Sequence, residues 1–285
     1  MEIYQNHPLA PYTTVKIGGP ADTFIITDTT DEFIEVLKKN QPLTLLGNGS
    51  NVLISDSGIR GTVVKNRASK IEYLPENRIK VDSGVQLPYL ISDTVNHSLP
   101  GLEEFSYIPS TIGGAIFGNI HGVNKNNFDK FIEEIEVFDL KTNSLVSFPV
   151  DKLNWGYDQS DFQKNPHWVI ISAILKLSPG DPTISKQSVA EIIAKKTATQ
   201  SMNSLGSVFK NPPNDSAGRI IDQELNLKGF QLNQVQVSPT HANFIINLGT
   251  GTASDYLSLI KKIQSEAKSK LNIDLEPEIK FLGNF

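Results

Sequence analysis

Ser204-Leu-Gly-Ser207-Val-Phe-Lys210-Asn211-Pro212 gathers two hydroxyls, a lysine and an amide in one short stretch that can deliver a proton and hold an anion. The same residues also suit a polar loop that ends a strand, and the Gly-x-Ser-x-Gly spacing of a hydrolase nucleophile is missing. Glu276-Pro277-Glu278 lies in an apolar frame, with Leu275 before it and Ile279, Phe281 and Leu282 after it. It is either a solvated acidic pair or a carboxylate half-buried and tuned for chemistry. Gly47-Asn48-Gly49-Ser50-Asn51 brings glycines, a hydroxyl and amides together without a charge, which lets backbone N–H groups approach a diphosphate. An ordinary turn between strands reads the same way, and neither a Walker loop nor a Rossmann fingerprint is present. Two further glycine pairs, Gly18-Gly19 and Gly113-Gly114, fit close backbone approaches to a large dinucleotide, or plain tight packing.

Composition narrows the chemistry. The chain has 285 residues and no cysteine, so thiolate nucleophiles, disulfides, iron–sulfur clusters and thiolate zinc sites are out, and redox chemistry needs a bound cofactor. His7, His97, His121, His167 and His241 show no metal-ligand spacing. Lys plus Arg number 26 against 31 Asp plus Glu, with no dense basic run, which argues against a nucleic-acid partner. The apolar stretch Trp168 to Leu177 is short of the roughly 20 residues that span a bilayer, and the N-terminus lacks a basic start with an apolar core. A cytoplasmic protein with no membrane partner is expected.

The elements that must position these residues alternate between strand and helix. Asp22–Thr27, Leu43–Leu46, Val52–Ile54 and Gly61–Lys65 read as strands, and a helix capped at Thr29 or Thr30 carries Phe33, Val36 and Leu37 before stopping at Asn40 and Pro42. Ile71–Leu74 and Arg78–Asp82 read as a hairpin, Leu87–Asn96 as a helix, and Ile108–Ile116 as a Gly-rich segment. Ile135–Asp139, Ser144–Phe148 and Trp168–Leu177 are strands, followed by a linker at Ser178–Pro182. Helices are expected from about Ser185 to Thr197 and near Ala217–Gln223, and strands around Gln234–Ser238 and Asn243–Leu248. A long helix after Thr252 places Tyr256, Leu257, Ile260, Ile263 and Ala267 on a core-facing stripe.

In this order the blocks Pro8-Leu-Ala-Pro-Tyr-Thr-Thr-Val-Lys-Ile-Gly-Gly-Pro-Ala21, Leu46 to Asp56, Ile108 to Ile116, Gly206 to Pro212, Ala217 to Asp222, Val237 to Ile245 and Leu275 to Ile279 resemble the UDP-N-acetylenolpyruvoylglucosamine reductase family, shorter class. The resemblance spans nearly the full length. It implies an α+β fold: an FAD-binding fold of the vanillyl-alcohol-oxidase type in two subdomains, plus a C-terminal α+β substrate-binding subdomain. The expected divisions are 1–66 completed by 274–285, then 67–182, then 183–273.

The resemblance further implies non-covalent FAD, NADPH as hydride donor, a nucleotide-sugar substrate and a monomer. Ser207 matches the family's proton donor and Glu278 its catalytic glutamate. Cofactor contacts map onto Gly18, Gly19, Gly47, Asn48, Gly49, Ser50, Asn51, Ser110, Thr111, Gly113, Gly114 and Arg219. Substrate contacts map onto Tyr157, Lys210, Asn211, Lys228 and Gln236. Four blocks depart from the pattern, one of them Pro-Gly-Ser-x-Gly-Gly, which stands as Pro109-Ser-Thr-Ile-Gly-Gly114. Tyr-Arg-x-Ser stands as Tyr157-Asp158-Gln159-Ser160, so an acid holds the catalytic arginine's place; Met-Asn-Ala-Gly stands as Gly118-Asn119-Ile120-His121, and the glycines before Gln-Val-Ser as Asn233-Gln234-Val235. Three readings follow: a working reductase served by another cation, with Lys210, Lys228 and Lys280 as candidates; a binding relative that has lost the chemistry; or a flavin oxidoreductase on a different substrate.

Overall fold

The computed structural model describes residues 1–39, 42–201 and 203–285. In chain order its elements are β1 (Glu2–Pro8), β2 (Pro20–Thr27), α1 (Thr30–Lys39), β3 (Leu43–Leu45), β4 (Val52–Ile54), β5 (Ile59–Asn66), β6 (Ile71–Leu74), β7 (Arg78–Asp82), α2 (Leu87–Asn96) and α3 (Ile112–Gly118). They continue with β8 (Ile132–Asp139), β9 (Ser144–Pro149), β10 (Trp155–Gly156), β11 (Gln159–Ser160), β12 (Trp168–Lys176), α4 (Pro182–Thr199) and α5 (Ala217–Arg219). The last are β13 (Gln231–Leu232), β14 (Val235–Val237), β15 (Ile245–Asn247), α6 (Ala253–Leu271) and β16 (Lys280–Leu282). The fold is α+β, and β1, β2, β5 and β3 are neighbours in that order in a four-stranded sheet.

Two compact units emerge, one of Met1–Ile3, Ile25–Gly47 and Val64–Ala194, the other of Tyr4–Phe24, Asn48–Val63 and Lys195–Phe285. The first is built on an antiparallel sheet of order β6-β7-β12-β8-β9. Strand β12 explains its own long apolar run, because both of its faces are covered. Val169 and Ile171 pack with Phe33, Val36 and Leu37 of α1, whereas Ile170, Ala173 and Leu175 join the cluster of Leu87, Leu90, Ile112 and Ile116 from α2 and α3. A register irregularity between Ile170 and Ser172 shifts which residues face which side. Helix α1 starts where expected: Thr29 Oγ1 accepts the Glu32 N–H at 3.2 Å, acids fill the first turn and Lys38 and Lys39 the last. The expected stop at Asn40 lies outside the described residues.

In the second unit β13, β14 and β15 form an antiparallel sheet, and β16 pairs in parallel with β4. One apolar cluster joins Leu53, Val208, Phe209, Ile220, Val235 and Tyr256. Thr252 caps α6 in a reciprocal box with Asp255, and Asp56 accepts from the N–H groups of Ala253 and Ser254 at 2.7 and 2.9 Å.

Several expectations need correction. The Gly-rich segment, given no element from sequence, is helical in its second half, with Gly113 and Gly114 in the first turn of α3. Thr111 caps it by accepting the Gly114 N–H, and burial of Ile112, Ala115 and Ile116 outweighs the roughly 1 kcal/mol each glycine costs a helix. Helix α4 begins at Pro182, since Asp181 Oδ1 takes the Thr183 N–H and proline fits a first turn. On α6 the buried stripe takes Leu259, and Leu257 is only half-covered. The helix near Ala217 continues as a wider π turn over Ile220–Glu224. Strand β1, largely exposed, has no apolar alternation to reveal it.

Candidate active site

In the second unit the Ser207 stretch is fixed by two neighbours. Asn243, itself buried, accepts the Phe209 N–H on Oδ1 at 3.0 Å, donates from Nδ2 to the Phe209 carbonyl at 2.8 Å, and accepts the Val208 N–H on its own carbonyl at 2.8 Å. On the other side Phe209 bridges Pro277, the Glu278 N–H donates to the Val208 carbonyl at 2.8 Å, and the Lys210 N–H donates to the Glu276 carbonyl at 2.9 Å. Ser207 and Glu278 are both half-buried and ride on this one backbone frame. Gly206, with φ +76° and open space where a Cβ would stand, lets the chain turn immediately before Ser207. Glu278 is not part of a regular strand; the bridge at Pro277 and its own N–H bond to Val208 hold it.

The other second-unit residues have protein partners. Lys210 Nζ lies 2.5 Å from Glu276 Oε1, Lys228 Nζ 3.0 Å from Asp222, and Gln236 Nε2 donates to the Gly229 carbonyl at 2.9 Å. Asn211 Oδ1 accepts the Ala217 N–H at 3.0 Å. Arg219 is bonded through Nε and Nη2 to Asp215 and through Nη1 to Glu224, and the guanidinium pulls the Asp215 carboxyl down to about 2. Burial lowers the titration of His241, helped by the charges of Lys196 and Lys228, and its Nδ1 accepts the Asn243 N–H at 3.3 Å. A neutral ring therefore backs the residue that fixes the Ser207 stretch.

The second unit also holds Asn48 to Asn51 and Gly18-Gly19. Gly49 has φ +61°, its carbonyl accepts the Thr14 N–H at 3.1 Å, and an added Cβ would stand 2.4 Å from the Tyr12 carbonyl oxygen. A Cβ on Gly19 would stand 2.2 Å from the Asp56 carbonyl oxygen, and one on Gly18 3.1 Å from Ile54. The glycines thus serve close backbone packing around a turn in which Gly49 is buried, Asn48 and Ser50 are half-buried and Asn51 is exposed.

In the first unit, Gly47 meets Ser110–Gly114. A Cβ on Gly47 would lie 3.3 Å from Thr111 Oγ1, and Lys65 Nζ donates to the Gly47 carbonyl at 2.5 Å. Ser110 Oγ donates to the Thr111 carbonyl at 2.9 Å, and the Gly113 N–H to that of Ser83 at 2.8 Å. Burial, with the charge of Arg67 adding, pulls the Lys65 ammonium down to about 8. The Ser110 hydroxyl and the Gly113 and Gly114 N–H groups are spent on protein acceptors, so what this group offers a diphosphate is a carboxylate-free surface and the charge of the Lys65 ammonium.

Asp158 does not stand alone: its partner within the first unit is an imidazole. His121 Nδ1 lies 2.9 Å from Asp158 Oδ1, and His121 Nε2 lies 3.0 Å from the Tyr157 hydroxyl, whose ring stacks on the imidazole at 4.4 Å. Two of the chain's four departures from the family pattern therefore touch each other. Asn243, His121 and Lys65 went unassigned from sequence. Asn243 was signalled by its block, and His121 by standing in place of a glycine; Lys65 in β5 gave no signal.

The sequence model described as the C-terminal domain of UDP-N-acetylenolpyruvoylglucosamine reductase matches residues 197–282, and one described as an FAD binding domain matches residues 21–147. UDP-N-acetylenolpyruvoylglucosamine reductase of Caldanaerobacter subterraneus subsp. tengcongensis is 34% identical over 99% of this chain and 94% of its own length. That of Bacillus pumilus is 33% identical over the same shares. Among solved structures, the crystal structure of the Thermus caldophilus enzyme of that name superposes with TM-score 0.85 at 30% identity, covering 99% of this chain and 98% of the other.

Proposed function

The chain belongs to the UDP-N-acetylenolpyruvoylglucosamine reductase family, and from that premise we propose that it reduces UDP-N-acetylenolpyruvoylglucosamine to UDP-N-acetylmuramate for peptidoglycan synthesis. Bound FAD supplies hydride transfer, taken from NADPH and given to the enolpyruvyl methylene carbon. In the first unit Gly47, Ser110, Thr111, Gly113, Gly114 and Lys65 would serve the diphosphate; the family resemblance assigns Asn48, Gly49, Ser50 and Asn51 to the cofactor as well. Ser207 donates the proton that the substrate's neighbouring carbon needs, and Glu278 stabilises the enol that precedes it. Lys210, Asn211, Tyr157, Lys228 and Gln236 orient the nucleotide sugar. The reading also takes in the three-part division at residues 66 and 182, Gly18, Gly19 and Arg219 near the cofactor, a cytoplasmic location, a monomer, and a role in cell-wall growth, cell shape and division. Among the described residues no helix is long and apolar enough to cross a membrane.

The observation that carries the reading is the backbone frame that fixes Ser207 and Glu278 on neighbouring, paired segments. The test is a purified preparation that is yellow, is bleached by NADPH, and recovers its colour as it consumes UDP-N-acetylenolpyruvoylglucosamine mole for mole. Colourless protein that ignores added FAD sinks the proposal. Slow turnover coupled only to oxygen points instead to another substrate.

A further inference from the structure

Tyr157 and Asp158 form the two-residue turn between β10 and β11, where Gly156 pairs with Gln159. The turn is held from several sides. Asn119 Nδ2 donates to the Gly156 carbonyl at 2.9 Å, Gln163 Nε2 to that of Asp158 at 3.0 Å, and Ser160 Oγ to that of Phe117 at 2.7 Å. Asp158 adopts φ +52°, a left-handed backbone that Asp tolerates better than most side chains. So fixed, its carboxylate meets one nitrogen of His121, and the other nitrogen meets the phenol of Tyr157, a residue 57% exposed.

Proton placement follows from the donor inventory. An ionised carboxylate only accepts, so Nδ1 of His121 carries a proton. In the neutral ring Nε2 is then an acceptor, and the Tyr157 hydroxyl spends its single proton on it. When the ring is protonated both nitrogens donate, the phenol oxygen accepts, and the phenol proton can go to a second acceptor. Asp158, His121 and Tyr157 thus have two hydrogen-bond arrangements that differ by one proton and present opposite polarity at the exposed end.

We infer that Asp158 and His121 are positioning residues for Tyr157, a carboxylate–imidazole–phenol relay whose charge decides whether Tyr157 donates a hydrogen bond to an anionic group of the substrate. The inference rests on the proposed function for the identity of that substrate. The charged and titratable groups on the elements around the imidazole are Asp158 and Tyr157 on the turn, Glu104 before it, Lys125, Asp129 and Lys130 on the segment that follows, and Asp161 and Lys164 beyond the hairpin. Several have other partners: Glu104 accepts from Asn124 and Asn126, Lys130 donates to Asn126, and Asp161 accepts from Asn154.

The test measures KM and kcat for UDP-N-acetylenolpyruvoylglucosamine across about pH 5.5 to 8.5, where a histidine changes charge, in the parent, Tyr157→Phe, His121→Gln and Asp158→Asn. In the parent, KM rises roughly tenfold as pH increases and the outward donor is lost, with a smaller change in kcat. Tyr157→Phe and His121→Gln lose that transition, with Tyr157→Phe fixed at the weak-binding KM, and Asp158→Asn moves it to lower pH. A transition that survives Tyr157→Phe, or an Asp158→Asn profile that overlies the parent's, overturns the relay. A readout that needs no turnover is the His121 ring resonance of the purified protein followed by NMR: it titrates at lower pH in Asp158→Asn, and an unmoved titration overturns the inference. Reduction of the bound flavin by NADPH without nucleotide sugar is measured alongside; its absence in the parent defeats the proposed function, while the NMR titration still judges the relay.

Discussion

The Glu278 N–H donates to the Val208 carbonyl at 2.8 Å, so the proposed enol-stabilising carboxylate is tethered one residue from Ser207 by backbone rather than by side chain. Substituting either side chain therefore leaves the frame standing and isolates its chemistry. Ser207→Ala is expected to reduce its flavin with NADPH as fast as the parent and to slow the nucleotide-sugar half-reaction by about 10² to 10⁴-fold, the usual range for a lost general acid. Stopped-flow absorbance of the two half-reactions checks this. Equal losses in both would make Ser207 structural.

Asn243→Ala removes both side-chain bonds to Phe209, leaving a buried N–H and a buried C=O without their partner. At about 1 to 3 kcal/mol for each orphaned group, the variant should unfold several degrees lower and also lose kcat, because Ser207 loses its anchor. Thermal unfolding followed by circular dichroism, with kcat on the folded fraction, tests both halves. A variant with parental Tm would show that the amide is dispensable.

Lys65 supplies a pH prediction. Its folded value of about 8 lies below the ordinary lysine value, so between about pH 8 and 10.5 the unfolded chain holds a proton that the folded one has released. Stability should therefore rise with pH across that window by about 3 kcal/mol, the penalty being present in full below it. Lys65→Met should lose this rise. Urea unfolding at a series of pH values decides, and a parent whose stability is flat or falls there would contradict the assignment.

Asp158→Arg restores the residue type that the family pattern has at this position, yet it is expected to lower activity here by roughly tenfold or more. It deletes the acceptor for His121 Nδ1 and sets a cation against the ring. Adding His121→Gly, the family's residue at that position, should recover most of the loss. A single variant more active than the parent would mean that the His121–Asp158 contact does no service.

The limits of the sequence reading follow from range. The hairpin of β6 and β7 and helix α2 fall where local pattern places them, because alternation and spacing are set within a dozen residues. Helix α3 was hidden because its glycines argue against helix and its support comes from Val85, Leu87 and other residues it packs against. Ser207 and Glu278 were legible as motif residues, but their common frame depends on Asn243 and Pro277, which no local pattern connects. Likewise, His121 and Asp158 are separated along the chain by three strands' worth of sequence, and only folding joins them.

Pairing of β16 with β4 sets an order in time. Val52 to Ile54 find their partners in Lys280 to Leu282, and the Ser55 N–H donates to the Leu282 carbonyl at 2.9 Å. On a ribosome that adds roughly 5 to 20 residues per second, β4 waits on the order of ten to forty seconds for its neighbour to be synthesised. During that interval the loop from Gly47 to Asn51, which leads into β4, has no settled downstream end. The segment around this loop is therefore completed late, because β4 cannot pair until β16 has been made.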